Sequence, residues 1–189
     1  MPSKSKTKGN KFENDVVKAL NEAYNTTEFS RTPNSGAMMG RTNWGKNQGL
    51  AEGVKRTLGS DLIVPDDFKF SIECKHYGDA PNYSQIIKGP DSKLDHWLAE
   101  CTFDADNLDL HPLLVFKTNR KGTYFALPDY FLLPLTHMLL YGPFQITGFE
   151  TFIQCANDIK EQALHIEEDR KEFYQREDVL ELLKILEEK

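Results

Sequence analysis

The stretch "FKFSIECK" at residues 68–75 alternates apolar and polar side chains without interruption. Because successive side chains of a strand point to opposite faces, the pattern predicts a strand with one face packed against a core. The opposite face carries Glu73 and Lys75, which are two residues apart and therefore project the same way. That face is either a solvated sheet surface or the working face of a site. The apolar face consists of Phe68, Phe70, Ile72 and Cys74.

The composition is that of a single globular domain. The 189 residues are enough for one substantial core, and the hydrophobic fraction of 39% is usual for water-soluble proteins. No apolar run approaches the ~20 residues that span a bilayer, and no apolar signal segment follows the basic N-terminus. We therefore expect a cytoplasmic protein without membrane contact.

The cysteines Cys74, Cys101 and Cys155 are widely spaced, without a CxxC pair or a histidine at zinc-site spacing. Such a set argues against a disulfide framework and against a structural zinc site. We expect all three to be reduced, with Cys74 packed into the core from the apolar face of its strand.

Charge is distributed unevenly along the chain, although the net charge is −6. Residues 1–60 carry 10 Lys/Arg and 5 Asp/Glu, residues 61–129 carry 7 and 12, and residues 130–189 carry 6 and 12. A basic first third beside an acidic remainder fits a phosphate-binding surface next to a carboxylate cluster that binds metal. Charged blocks of this kind also occur as plain solvated surface.

The pattern of elements predicts an α/β fold in which helices cover a mixed central sheet. Residues 61–64 and 68–75 are predicted to pair as an antiparallel hairpin, because "PDD" between them favours a turn. Two other segments have apolar residues at helical spacing, and another two have the pattern of apolar strands. The predicted helices cover residues 11–24 and 91–103, and two strands within 111–128 flank an "NRKG" turn.

The domain organisation follows from the same pattern. We expect a flexible basic arm at residues 1–10 and a core at 11–127, interrupted by a long basic loop at about 36–59. Residues 128–189 are predicted to form a largely helical C-terminal extension. The apolar stripe of its acidic helices either packs on the core or forms a dimer seam.

Three ionisable residues form the candidate chemical site. If the hairpin forms, Asp61 comes close to Glu73 and Lys75 at the end of the second strand. Two converging carboxylates suit a hard cation such as Mg²⁺, which polarises a phosphodiester and activates water. Lys75 could orient that water or stabilise charge that develops on the phosphate. The alternative is a surface Glu–Lys pair of little energetic value.

The stretch "GSDLIVPDDFKFSIECK", residues 59–75, resembles the core motif of the PD-(D/E)xK nuclease superfamily. The resemblance implies a restriction-endonuclease-like αβ sandwich and a Mg²⁺-dependent site formed by Asp61, Glu73 and Lys75. Ser60 stands where the family usually has proline. A literal Pro-Asp occurs at residues 65–66, but it lies in the predicted turn at the far end of the strand, so we prefer Asp61.

The N-terminal half is similar to Holliday junction resolvases. The similarity rests on "KGNKFE" at Lys8–Glu13 and "RTPNSGA" at Arg31–Ala37. It implies that Glu13 is a third metal-binding carboxylate and a catalytic residue, and that Arg31 and Ser35 contact phosphate. The plain alternatives are a solvated helical glutamate and an ordinary turn at "PNSG".

The loop at about residues 36–59 interleaves positive charge with one tryptophan, which suits contact with a nucleic-acid backbone or stacking on an unpaired base. A disordered or partner-binding loop is the alternative. The candidate nucleic-acid-binding residues are Lys8, Lys11, Arg31, Ser35, Arg41, Trp44, Lys46, Lys55 and Arg56.

These observations together predict a Mg²⁺-dependent DNA endonuclease, with Mn²⁺ as an alternative cofactor. The resolvase similarity favours branched or Holliday-junction DNA, hence a role in recombination or repair. A symmetric junction needs two cuts, so we expect a homodimer. The rivals are a restriction-type, repair or RNA-directed nuclease, a non-catalytic nucleic-acid-binding or assembly protein, and a small-molecule or interaction domain. No element can be assigned to base readout, which disfavours restriction.

Overall fold

The structure is a computed structural model, and it describes residues 4–33, 49, 54–55, 59–78, 92–133 and 138–187. The elements of the N-terminal half are α1 (Lys4–Ala23), β1 (Ser30–Arg31), β2 (Leu62–Ile63), β3 (Phe70–Tyr77), α2 (Ser92–Asn107) and β4 (His111–Thr118). Those of the C-terminal half are β5 (Gly122–Pro128), β6 (Leu139–Tyr141), β7 (Phe144–Gly148), α3 (Phe149–Gln154), α4 (Ala156–Ala163), α5 (Glu167–Phe173) and α6 (Glu177–Lys184).

The central sheet of the described chain has the strand order β3-β4-β5-β7-β6. Strands β3 and β4 run parallel with Phe70 opposite His111, and the other pairs are antiparallel. A parallel pair needs a crossover connection, and α2 lies within it. The mixed sheet that the sequence predicts is therefore confirmed.

Helices cover both faces of this sheet, and each covered face has its own core. Strand β4 is almost entirely buried because its side chains alternate between the two cores, which explains its continuous apolar run. One core receives α1, α3 and α4 through Phe12, Val16, Leu20, Phe152 and Ile159. The other receives α2, α5 and α6 through Leu94, Trp97, Leu98, Phe173, Val179 and Leu182.

The apolar face of β3 is packed as predicted. Phe68, Phe70 and Ile72 are fully buried, and Cys74 is nearly so. The predicted hairpin partner is wrong, because β2 pairs with β1 in a separate two-stranded ladder. The turn itself is present, since the amide of Phe68 donates to the carbonyl of Pro65 at 3.0 Å.

Two boundaries differ from the predictions. Helix α1 begins at Lys4, so residues 4–10 of the predicted flexible arm are helical. Lysine is a good helix former, and these residues extend a helix whose later turns are anchored in the core. The predicted helical extension also contributes strands, because β7 pairs with β5 and completes the central sheet.

The C-terminal helices α5 and α6 pack their apolar residues against the core. Phe173, Val179, Leu182 and Leu186 are buried in the same core as the apolar face of α2. In the described ranges, no helix is both long and apolar enough to cross a membrane.

Candidate active site

Strand β3 positions Glu73 and Lys75 on one face, and that face is not a solvated surface. Their side chains are only 15% and 18% exposed, and Glu73 Oε1 lies 2.6 Å from Lys75 Nζ. The cover comes from α2, which packs against β3 and β4. The pair is therefore a partly buried ion pair, for which the small energies of exposed pairs do not apply.

Asp61, the residue immediately before β2, lies next to Glu73. Its amide donates to the carbonyl of Ile72 at 3.1 Å, and its Oδ2 accepts a hydrogen bond from the amide of Cys74 at 2.8 Å. These two bonds fasten Asp61 to β3 on either side of Glu73, although no hairpin ladder forms. Ser60, where the superfamily usually has proline, is buried and donates its hydroxyl to the carbonyl of Leu62 at 2.6 Å.

The carboxylates of Asp61 and Glu73 are close enough to repel each other. Burial and, next, the charge of Asp61 together raise the pKa of Glu73 to about 7, although Lys75 opposes the change. The site therefore concentrates negative charge in a poorly solvated place.

Helix α1 brings Glu13 to this cluster. Glu13 is 8% exposed, so it is not a solvated helical glutamate. Burial raises its pKa, the nearby guanidinium of Arg31 lowers it, and the charge of Glu73 raises it. Arg31 Nη1 lies 3.3 Å from Glu13 Oε2. Arg31, predicted to contact phosphate, is thus also the partner of a predicted metal ligand.

Helix α2 adds two acidic residues that the sequence analysis missed. Glu100 Oε2 lies 2.9 Å from Lys75 Nζ, and Glu100 Oε1 lies 3.3 Å from His96 Nε2. Burial and, next, the charges of Glu73 and Glu100 together raise the pKa of Asp104 to about 8. A signal was present, because His96, Glu100 and Asp104 recur every fourth residue and so share one face of a helix.

Lys75 is held between the carboxylates of Glu73 and Glu100. Burial by itself lowers the pKa of Lys75, but the two carboxylates outweigh burial and raise the pKa above its ordinary value. Lys75 is therefore an ammonium group with three N–H donors. In this arrangement it suits binding an anionic oxygen and does not suit accepting a proton.

The donor set fits a hard divalent cation. Within the described ranges, no group of three or more His, Cys, Asp or Glu side chains is arranged to hold a metal ion. Mg²⁺, however, usually binds proteins through one or two carboxylates, with water and substrate phosphate completing its shell. Asp61 and Glu73 supply two carboxylates that repel each other, and a cation between them would relieve that repulsion.

The predicted nucleic-acid-binding residues are only partly described. Lys8 lies beside the C-terminal end of β3, and Lys11 is exposed on α1. Lys55 is half-buried, and its carbonyl accepts a hydrogen bond from the amide of Gly59 at 2.8 Å. The remaining candidates, Ser35, Arg41, Trp44, Lys46 and Arg56, lie outside the described residues.

Comparison with known proteins places the chain in a nuclease family. A family model described as "Phage putative PDDEXK endonuclease" matches residues 4–163, which include Glu13, Asp61, Glu73 and Lys75. Protein D14 of Escherichia phage T5 is 28% identical over 141 residues, which cover 72% of this chain and 81% of that protein. None of the solved structures matches the chain significantly.

Proposed function

This chain belongs to the phage PDDEXK endonuclease family, and from that premise we propose that it is a Mg²⁺-dependent endonuclease that hydrolyses phosphodiester bonds in DNA. The observation that carries the proposal is the convergence of Asp61, Glu73 and Lys75 in one partly buried cluster. A motif whose residues were scattered over an exposed sheet would not support catalysis.

Each residue of the cluster has a distinct role in this proposal. Asp61 and Glu73 hold the cation, which would supply an activated water and neutralise charge on the phosphate. Lys75 donates hydrogen bonds to the oxygen on which negative charge develops as water attacks phosphorus and the bond to the leaving oxygen breaks. Glu13 is the third carboxylate, and the guanidinium of Arg31 orients it and favours its charged form against the effect of burial.

We further propose branched DNA, such as a Holliday junction, as the substrate and a homodimer as the working form. The support is the similarity of the N-terminal motifs to those of junction resolvases, together with the basic first third of the chain. A restriction-type, repair or RNA-directed nuclease of the same fold would use the same cluster, so only the substrate distinguishes these candidates.

The test is cleavage of labelled four-way junction, duplex, single-stranded DNA and RNA with Mg²⁺, Mn²⁺ or EDTA. We expect metal-dependent cutting by the wild type and at least a ~100-fold loss in Lys75→Ala and Asp61→Asn, since each removes a group that acts on the transition state. Lys69→Ala is the matched control, because Lys69 immediately precedes β3, at the end away from Lys75, and its ammonium donates to the carbonyl of Asp66 at 3.3 Å.

Two results would contradict the proposal. Wild-type protein that cuts none of the substrates, yet binds them equally well with EDTA, would identify a binding or assembly protein. Equal cutting of the junction and of plain duplex would refute the junction preference while leaving the nuclease activity intact. Sedimentation of the protein with and without junction DNA checks the dimer.

A further inference from the structure

A groove lies beside the candidate active site, and the roles proposed for the carboxylates and Lys75 give this groove no function. The N-terminal part of α1 and the C-terminal end of β3 enclose a cavity of about 460 Å³, here called the α1–β3 groove. Lys8 and Gly9 line one side, and Lys75, His76 and Gly78 line the other. Its volume lies within the range of about 300–1,000 Å³ that is usual for ligand sites. Lys75 therefore borders both the carboxylate cluster and the groove.

Gly9 is the feature that points to a ligand. It lies inside the 20-residue helix α1, where glycine is destabilising relative to alanine because it restricts the unfolded chain least. Its φ is not in the left-handed region, so the backbone does not require glycine. Among the described residues, an added Cβ would meet only Glu13 Oε1, at an ordinary contact distance of 3.8 Å. Within the described part of the chain, neither conformation nor packing explains the glycine.

Two lysines place positive charge beside the His76 wall of the groove. Lys117 is the β4 partner of His76 in the parallel ladder. Burial lowers the pKa of His76, and the positive charges of Lys8 and Lys117 lower it further. The ammonium of Lys8 forms no ion pair with a carboxylate in the described part of the chain. A groove of this charge complements phosphate.

The wall of the groove is fixed to α1. The imidazole of His76 packs against the ring of Phe12 with a centroid distance of 5.4 Å, and Phe12 is buried in the core. The His76 wall of the groove is therefore held by a residue of the core.

We infer that the α1–β3 groove binds the sugar–phosphate backbone of the nucleic-acid strand next to the cleaved bond, and that Gly9 lets this backbone approach α1 closely. The inference rests on the proposed nuclease function and deepens it by naming where the strand lies. Lys8 contacts a phosphate in the groove, and Lys75 marks the end at which cleavage occurs.

The experiment fills the groove without disturbing the helix. Gly9→Leu should preserve or raise the thermal midpoint, because leucine favours a helix over glycine. The same variant should weaken binding of fluorescein-labelled single-stranded, duplex and junction DNA at least about tenfold, measured by anisotropy in EDTA so that no cleavage occurs. Gly148→Leu is the matched control, since a Cβ there meets nothing within 4 Å among the described residues and Gly148 lies on β7, away from β3 in the strand order of the sheet.

A second variant tests the charge without adding volume. Lys8→Gln should reduce the slope of log affinity against log salt by about one, as expected when one phosphate contact is lost. If Gly9→Leu and Lys8→Gln bind with wild-type affinity and salt dependence, the groove is not a strand-binding site, even where the wild type still cuts DNA. If wild type and Gly148→Leu neither bind nor cut any nucleic acid, the proposed function itself fails.

Discussion

His111 makes the stability of this protein depend on pH in a direction that can be measured. It is the first residue of β4 and is 2% exposed. Its Nε2 lies 3.2 Å from the carbonyl of Ala163 and its Nδ1 lies 2.7 Å from the hydroxyl of Tyr130. A carbonyl only accepts, so Nε2 carries the hydrogen and Nδ1 accepts from Tyr130. The neutral imidazole is therefore fully hydrogen-bonded.

Burial lowers the pKa of His111 from 6.5 to about 4, although the hydrogen bond to Ala163 opposes the change. Between these values the unfolded chain binds a proton that the folded protein does not. Stability is therefore present above the unfolded pKa and is lost as the pH falls toward the folded pKa. Linkage gives a loss of about 2 kcal/mol on going from about pH 7 to about pH 5.

Urea unfolding of wild type and His111→Gln at both pH values measures this loss. Glutamine preserves a donor at the position of Nε2 and does not titrate, while the other ionisable groups are common to both proteins. The free energy of unfolding of the wild type should fall by about 2 kcal/mol more than that of the variant. Equal pH dependence in the two proteins would refute the assignment of His111 as a buried neutral base.

Two further predictions concern the site and the core. Glu100→Ala removes one of the two carboxylates at Lys75 Nζ, so single-turnover cleavage should slow at least about tenfold. In a Lys75→Ala background the same change should have little further effect, and additive losses would mean that Glu100 does not act through Lys75. Phe152→Ala removes a fully buried ring packed edge-on against Phe125, which should cost about 3–5 kcal/mol in urea unfolding. A cost below about 1 kcal/mol would show that the core around α3 closes over the cavity.

Local pattern was sufficient to predict strand β3 and its faces. The period of two in "FKFSIECK" identified which side chains enter the core, and the structure buries Phe68, Phe70, Ile72 and Cys74. The same regularity predicted that Glu73 and Lys75 share a face. Helix α2 and the β4–β5 hairpin were predicted for the same reason, since helical spacing and a tight turn are properties of short segments.

Pairing between distant segments could not be predicted in this way. Residues 61–64 were predicted to pair with their neighbour in sequence, yet β2 pairs with β1, about thirty residues earlier, and Asp61 joins β3 through two hydrogen bonds. The position of β7 beside β5 is another such pairing, and it places the C-terminal third of the chain within the central sheet.

The sequence was sufficient to propose Asp61, Glu73 and Lys75 as site residues and to predict the face that two of them share. What covers that face depends on tertiary packing, because periodicity states which side chains point together and not which element they meet. Packing of α2 against β3 turned a two-residue charge pair into a partly buried cluster that includes Glu100 and Asp104. Burial of that kind arises from contacts between elements far apart in the chain, and it is the main physical reason that the pKa values of Glu73 and Asp104 depart from the ordinary ones.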